Sequence, residues 1–117
     1  MNIIDKYGEE YEVFLKNSDS LNGKYIILKL FKDDLNIGTF VFKKEDKGYV
    51  SEFSFIKTGF RNRGLSTSVY FNIAKEKGTI ISSEFQLNEG INFWETFKTK
   101  FPNNIKKIED RYHFILN

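Results

Sequence analysis

The sequence predicts a mixed α/β domain in which an antiparallel meander runs into a strand-loop-helix-strand unit, and three observations point that way. Aromatic and branched residues cluster in short runs at Lys24–Phe31, Ile37–Lys43 and Tyr49–Ile56. The connections between these runs, Lys32–Asn36 and Lys44–Gly48, are short, charged and turn-prone, as hairpins require. Leu65, Val69 and Ile73 then recur at every fourth position, the spacing of one helical face.

Taken in order, Tyr11–Leu15 reads as a short strand and the polar run Lys16–Gly23 as a loop. The meander follows. A helix over Ser66–Lys77 is stopped by Gly78, and Thr79–Ser83 reads as the next strand. The second helix is expected to begin after Asn88, whose side chain suits the orphan amides of a helix start. Ile91, Trp94, Phe97 and Phe101 are expected to line one side of it, and Pro102 helps to end it. Ile105–Ile108 and Arg111–Leu116 read as closing strands. A strand-loop-helix-strand unit at the centre implies two parallel neighbours joined by a right-handed crossover.

Bulk properties narrow the function classes. The 117 residues are expected to form a single domain, 1–117, and 40% hydrophobic content with 13 Phe and 6 Tyr is that of a globular chain. A net charge of +2 gives no reason to expect nucleic-acid or membrane affinity. With no Cys there is no disulfide framework, thiolate metal site or cysteine nucleophile, and a lone His makes zinc chemistry a poor expectation. His113, between Tyr112 and Phe114, reads as a structural residue. The first residues lack the pattern of a signal peptide, and no apolar run approaches the roughly 20 residues of a membrane span. A metal-free cytoplasmic protein is the simple expectation.

The segment Phe60–Thr67 carries the chemistry. A glycine and a small residue open a helix that follows a β-run, flanked by Arg61 and Arg63. The first amides of a helix lack internal partners and the helix dipole adds positive potential there, so an anion is favoured. Gly64 lets the main chain come close, Ser66 leaves the neighbouring amides open, and either arginine can fork onto phosphate oxygens. An ordinary glycine turn between solvated arginines fits the same letters.

Read as Arg-x-x-Gly-x-(small), Arg61, Gly64 and Ser66 resemble the pyrophosphate motif of the GCN5-related N-acetyltransferases (GNAT superfamily). Glu52–Ile56 stands where that family has its fourth strand, Ser66–Lys77 looks like its third helix, and Thr79–Ser83 like its fifth strand. Asn88–Glu95 (NEGINFWE) is similar to the family's Asn/Ser-x-x-Ala-x-x-Phe-Tyr/Trp-Glu signature on its fourth helix. The resemblance covers about Tyr25 to the C-terminus. It implies a GNAT-like acyl-CoA N-acyltransferase fold whose central parallel strands splay apart to admit the pantetheine arm of coenzyme A. Family members usually place two helices between their first two strands, and the eight residues Lys16–Gly23 cannot hold them. The resemblance therefore implies a compact member with an open acceptor side. One face of the meander is then uncovered, and an aromatic patch of Tyr25, Phe31, Phe40 and Phe42 is expected to favour a homodimer.

The implied activity is acetyl transfer from acetyl-CoA to a primary amine by direct attack, without a metal. The implied cofactor-binding residues are Phe55, Ile56, Arg61, Asn62, Arg63, Gly64, Leu65, Ser66, Thr67 and Asn88, with a peptide N–H near Phe55 or Ile56 donating to the thioester oxygen. Glu52 occupies the place of the general base, with a surface carboxylate as the plain alternative. Trp94 replaces the usual tyrosine, whose hydroxyl protonates the leaving thiolate; an indole is no practical proton source, and core packing suits Trp94 better. Tyr70, Tyr112, Ser82 and Ser83 are substitute donors. The acceptor is a small molecule or a protein. The alternative is a catalytically reduced GNAT-like protein that engages a protein partner, and the Lys, Asn, Ile and Phe usage fits a phage or mobile-element accessory protein.

Overall fold

A computed structural model describes residues 2–83 and 88–116, with only the backbone of Asn88. Eight strands form one mixed sheet in the order β1-β2-β3-β4-β5-β6-β8-β7. In chain order they are β1 (Asn2–Ile4), β2 (Glu10–Ser20), β3 (Gly23–Lys32), β4 (Leu35–Glu45), β5 (Gly48–Ile56), β6 (Ile80–Ile81), β7 (Ile105–Ile108) and β8 (Arg111–Phe114). Helix α1 (Leu65–Glu76) links β5 to β6, and α2 (Asn88–Lys100) precedes β7. The expected meander is present, and β5 and β6 are the expected parallel neighbours.

The register sorts the residues by face. Leu30, Leu28 and Ile26 of β3 point the same way as Phe40 and Phe42 of β4, and all five are buried. Against them pack Leu65, Val69, Tyr70 and Ile73 of α1 and Trp94 and Phe97 of α2. Tyr70 sits at the centre, in ring contact with Phe40, Phe42, Phe93, Trp94 and Phe97. Full burial of side chains this large stabilises by roughly 1.5–3 kcal/mol each.

Four points differ from expectation. The polar run after Leu15 is not a loop: β2 continues to Ser20 and turns straight into β3, with Ser20 opposite Gly23. The continuous partner β3 overrides the poor strand propensity of these residues. A strand that was not expected, β1, pairs with Glu10–Glu12. The aromatic patch is also different, because Phe40 and Phe42 lie under the helices with no exposure. The open face instead carries Phe14, Ile27, Phe31, Val41 and Phe53, as cross-strand partnership dictates. On α2, Ile91 is exposed and Phe93 takes its place against the core.

Two irregularities in β5 shape the centre. Phe53 pairs with Val41 but Ser51 pairs with Phe42, so Glu52 is the extra residue of a bulge. The parallel pairing with β6 ends after Tyr49↔Ile80 and Val50↔Ile81, and among the described residues Ser51–Ile56 have no paired strand on that side. The pair begins tightly: the Tyr49 amide donates to Thr79 O at 2.8 Å, and a Cβ on Gly48 would stand 2.4 Å from that oxygen. Gly48→Ala should therefore destabilise by about 1–3 kcal/mol through forced separation of the strands. Gly59→Ala, where a Cβ meets nothing within 4 Å, should leave the denaturation midpoint unchanged in the same urea titration.

Candidate functional site

Beyond the paired part of β5, a cleft of about 580 Å³ opens between Ser54–Ile56, the loop that follows, the first turn of α1 and one side of α2. The loop begins with a single 3-10 turn, Thr58–Phe60. Asn62 and Gly64 both adopt positive φ, 60° and 76°, which reverses the chain into the helix. Space around Gly64 is open, so glycine is needed there for its backbone angle. No side chain caps α1, which leaves the amides of Leu65, Ser66 and Thr67 without a partner among the described residues. They stand in the cleft wall.

The two arginines have different situations. Arg61, an exposed residue, donates from Nε to Ile56 O at 2.8 Å and lies over the Phe55 ring, which holds the guanidinium at the cleft wall. Arg63 reaches instead toward the N-terminus, with its Nη1 at 3.3 Å from Asp5 Oδ2 and its guanidinium over Tyr7. Asp5 is buried and also accepts from the Tyr11 hydroxyl and from the amides of Tyr7 and Glu9. Burial alone would raise its pKa, but the bonds from Tyr11, the two amides and Arg63 together hold it below the usual value. Burial, helped by Asp5, pushes the Tyr11 phenol up to about 12. The Lys6 amide adds a bond to Arg63 O at 3.1 Å. The loop is thus tied to β5 through Arg61 and to the N-terminal turn through Arg63.

The edge of β5 adds a further donor. Lys57 N bonds to Ile37 O, while Gly38 N bonds to the Asn36 side chain and does not cross to β5. By the alternation of an antiparallel ladder, Phe55 turns its peptide groups toward β4, and Ser54 and Ile56 turn theirs toward the cleft. Of the two amides expected at the thioester, Ile56 faces the opening and Phe55 does not.

The remaining expected residues fall in different places. Glu52 is exposed on the bulge, outside the cleft wall, with no hydrogen bond or ion pair among the described residues. Trp94 is 3% exposed and stacks on Tyr112 with ring centroids 5.8 Å apart, so it is a core residue. The Tyr112 hydroxyl donates to Glu95, which raises its pKa further than burial does. Ser82 is buried and binds the Tyr112 amide through its hydroxyl, and Ser83 is half-buried beside it. Neither serine lines the cleft. Tyr70 is the one substitute donor connected to the cleft: its hydroxyl lies 2.5 Å from Ser51 Oγ and 3.3 Å from Ser54 Oγ, and Ser54 is in the wall. Burial raises the Tyr70 pKa against the pull of both serines. The side chain of Asn88 lies outside the described residues.

Asn92, Thr96 and Lys100 stand in the cleft wall with Glu89 and Phe93, and none of them was expected there. Their spacing is that of one helical stripe, the signal by which the sequence could have shown them. Lys100 adds a second cation to Arg61 at the site. His113 lies on the other side of the sheet, and burial first, then Arg111 and Lys47, lower its pKa. Among the described residues no group of three or more His, Cys, Asp or Glu could hold a metal ion, and no helix is long and apolar enough to cross a membrane.

No family model and no curated protein matches this chain.

Two outcomes follow from the geometry. Asp5 has a depressed pKa in the fold, so its stabilising contribution is complete above the unfolded value of about 3.9 and fades as pH falls through the folded value. Melting temperatures of wild type and Asp5→Asn should differ by a constant amount above about pH 5 and converge in stronger acid. Trp94→Ala should cost about 3–5 kcal/mol in urea unfolding, as removal of a core aromatic does.

Proposed function

We propose that the chain is a compact GNAT-like N-acetyltransferase that uses acetyl-CoA to acetylate a primary amine. The observation that carries this reading is the conjunction of the end of β5, beyond its parallel pairing, with an uncapped helix start in the same cleft. A diphosphate fits that place on chemical grounds: Leu65, Ser66 and Thr67, whose amides are free at the helix start among the described residues, stand in its wall, Arg61 is anchored beside it, and Lys100 adds charge. Arg63 shapes the loop through Asp5 and contributes less of its charge to the ligand.

Acetyl-CoA, when bound, supplies an activated acyl group. The Ile56 amide on the open edge of β5 is the donor for the acyl oxygen, in the manner of other backbone oxyanion sites. Glu52, on the bulge just beyond the paired part of β5, is the carboxylate available to take the amine proton through water. Ser54, backed by the Tyr70 hydroxyl, is the donor nearest a departing thiolate. Both a small molecule and a protein suit the amine, because β2 and β3 join in a tight turn and put no helical wall on the acceptor side.

A second reading has its own support. Glu52 lies off the cleft wall and Trp94 is in the core, which favours a coenzyme-binding protein that engages a partner without catalysis. Calorimetric titration with acetyl-CoA and with coenzyme A tests the cofactor claim. Binding should weaken roughly tenfold in Arg61→Ala, the loss of one charge-assisted contact, and vanish in Gly64→Glu. No heat and no thermal shift with either ligand would remove coenzyme A from both readings. Given binding, release of free thiol with a panel of amines separates enzyme from binder. Glu52→Gln should then lower turnover by about 10²–10⁴-fold at unchanged affinity, and equal activity would take Glu52 out of the mechanism.

A further inference from the structure

We infer, on the basis of the anion site proposed above, that Asp5 is a positioning residue for that site: through Arg63 it fixes the loop that opens α1, and so sets how tightly a diphosphate is held. Asp5 is not in the cleft wall, and its side chain is fully buried in the turn between β1 and β2. Its two carboxylate oxygens serve different ends. Oδ1 accepts the amides of Tyr7 and Glu9, at 2.8 and 3.0 Å, and builds the turn, which main-chain bonds from Asp5 N to Glu9 O and from Gly8 N to Asp5 O also close. Oδ2 accepts the Tyr11 hydroxyl at 2.8 Å and Arg63 Nη1 at 3.3 Å, and so serves the loop.

The turn grips Arg63 at both its side chain and its main chain. The guanidinium is bonded to Asp5 and lies over the Tyr7 ring, and the carbonyl oxygen accepts the Lys6 amide at 3.1 Å. Gly64 comes next, at the head of α1, with φ of 76° and no Cβ to resist rotation of the peptide before it. Were that peptide to turn its carbonyl oxygen toward the helix start, it would repel an anion there. The Lys6 bond keeps the oxygen on the N-terminal turn, and the pair with Asp5 keeps the residue that carries it in place. The amides of Leu65, Ser66 and Thr67 follow within one turn, and donors ordered in advance cost a ligand less than donors it must order itself. Arg63 stands in the cleft wall, so it has two roles open to it, strut or direct ligand contact. The burial of Asp5 selects the first, because a buried carboxylate deprived of its bonded cation is costly.

Calorimetric titration with inorganic pyrophosphate, at neutral pH and well below the melting temperature of every variant, tests this. Asp5→Asn keeps an acceptor for the amides of the turn but offers Arg63 an amide nitrogen, which cannot accept its bond. The dissociation constant for pyrophosphate should rise about tenfold over wild type. Arg63→Gln should show a similar loss, and the double variant no more than either, because the two side chains act as one unit. Tyr11→Phe controls for general loosening: it removes a bond to the same carboxylate oxygen and should lower the melting temperature, yet leave the affinity within about twofold of wild type. An equal loss in Tyr11→Phe, additive losses in the double variant, or an unchanged affinity in Asp5→Asn would overturn the proposal. A rise in Asp5→Asn would overturn it too, by showing that Arg63 turns to the ligand once released, and so would a wild type that does not bind pyrophosphate. The expected pattern with pyrophosphate, but no binding of acetyl-CoA, would remove the coenzyme from the proposed function and leave Asp5 in its role.

Discussion

Among the described residues two pairs, Tyr49↔Ile80 and Val50↔Ile81, hold β5 beside β6, and the layout of the site depends on where that contact stops. At its start the backbones are pressed together by the absent side chain of Gly48. Just beyond its end comes the bulge at Glu52, which gives β5 added twist. The cleft lies along the part of β5 beyond that pairing, with the start of α1 beside it. Its main-chain donors need no rotamer to be chosen when a ligand arrives.

The loop at the mouth of the cleft would be soft if it relied on its own residues. Asn62 in the left-handed region is a conformation that a non-glycine residue holds only when its surroundings compel it. Here the compulsion comes from both sides, through Arg61 on the Ile56 carbonyl and Arg63 on the buried Asp5. The division of labour leaves one arginine as a strut and the other as a usable cation. Two free arginines at the same mouth would repel each other in the absence of an anion. Pairing Arg63 with a carboxylate removes that repulsion and keeps the positive potential focused at the helix start.

Much of the central architecture could be read from residues 24–83 because each element there obeys one period. Alternation in Tyr25–Phe31 and the fourfold spacing of Leu65, Val69 and Ile73 are local signals that the tertiary structure does not oppose. The N-terminal part was harder for a physical reason. Lys16–Ser20 has no intrinsic preference for a strand and becomes one only through its neighbour β3, and β1 exists because Asp5 gathers the amides of its own turn. At the site, the glycine-arginine segment was legible as an anion loop, but the unequal fates of Arg61 and Arg63 depend on a carboxylate far away in sequence. Phe93 and Lys100 were missed because the stripe through Ile91 and Trp94 was assigned to the core, whereas the helix is rotated to bury Phe93 and turn Ile91 outward.

The bond between Asp5 and Arg63 spans 58 positions of chain. A contact of such separation closes a large loop, whose entropy the bond must offset. Asp5 thereby bears on the anion-facing amides from a distant part of the chain, so a change in the N-terminal turn reaches the cleft without touching it.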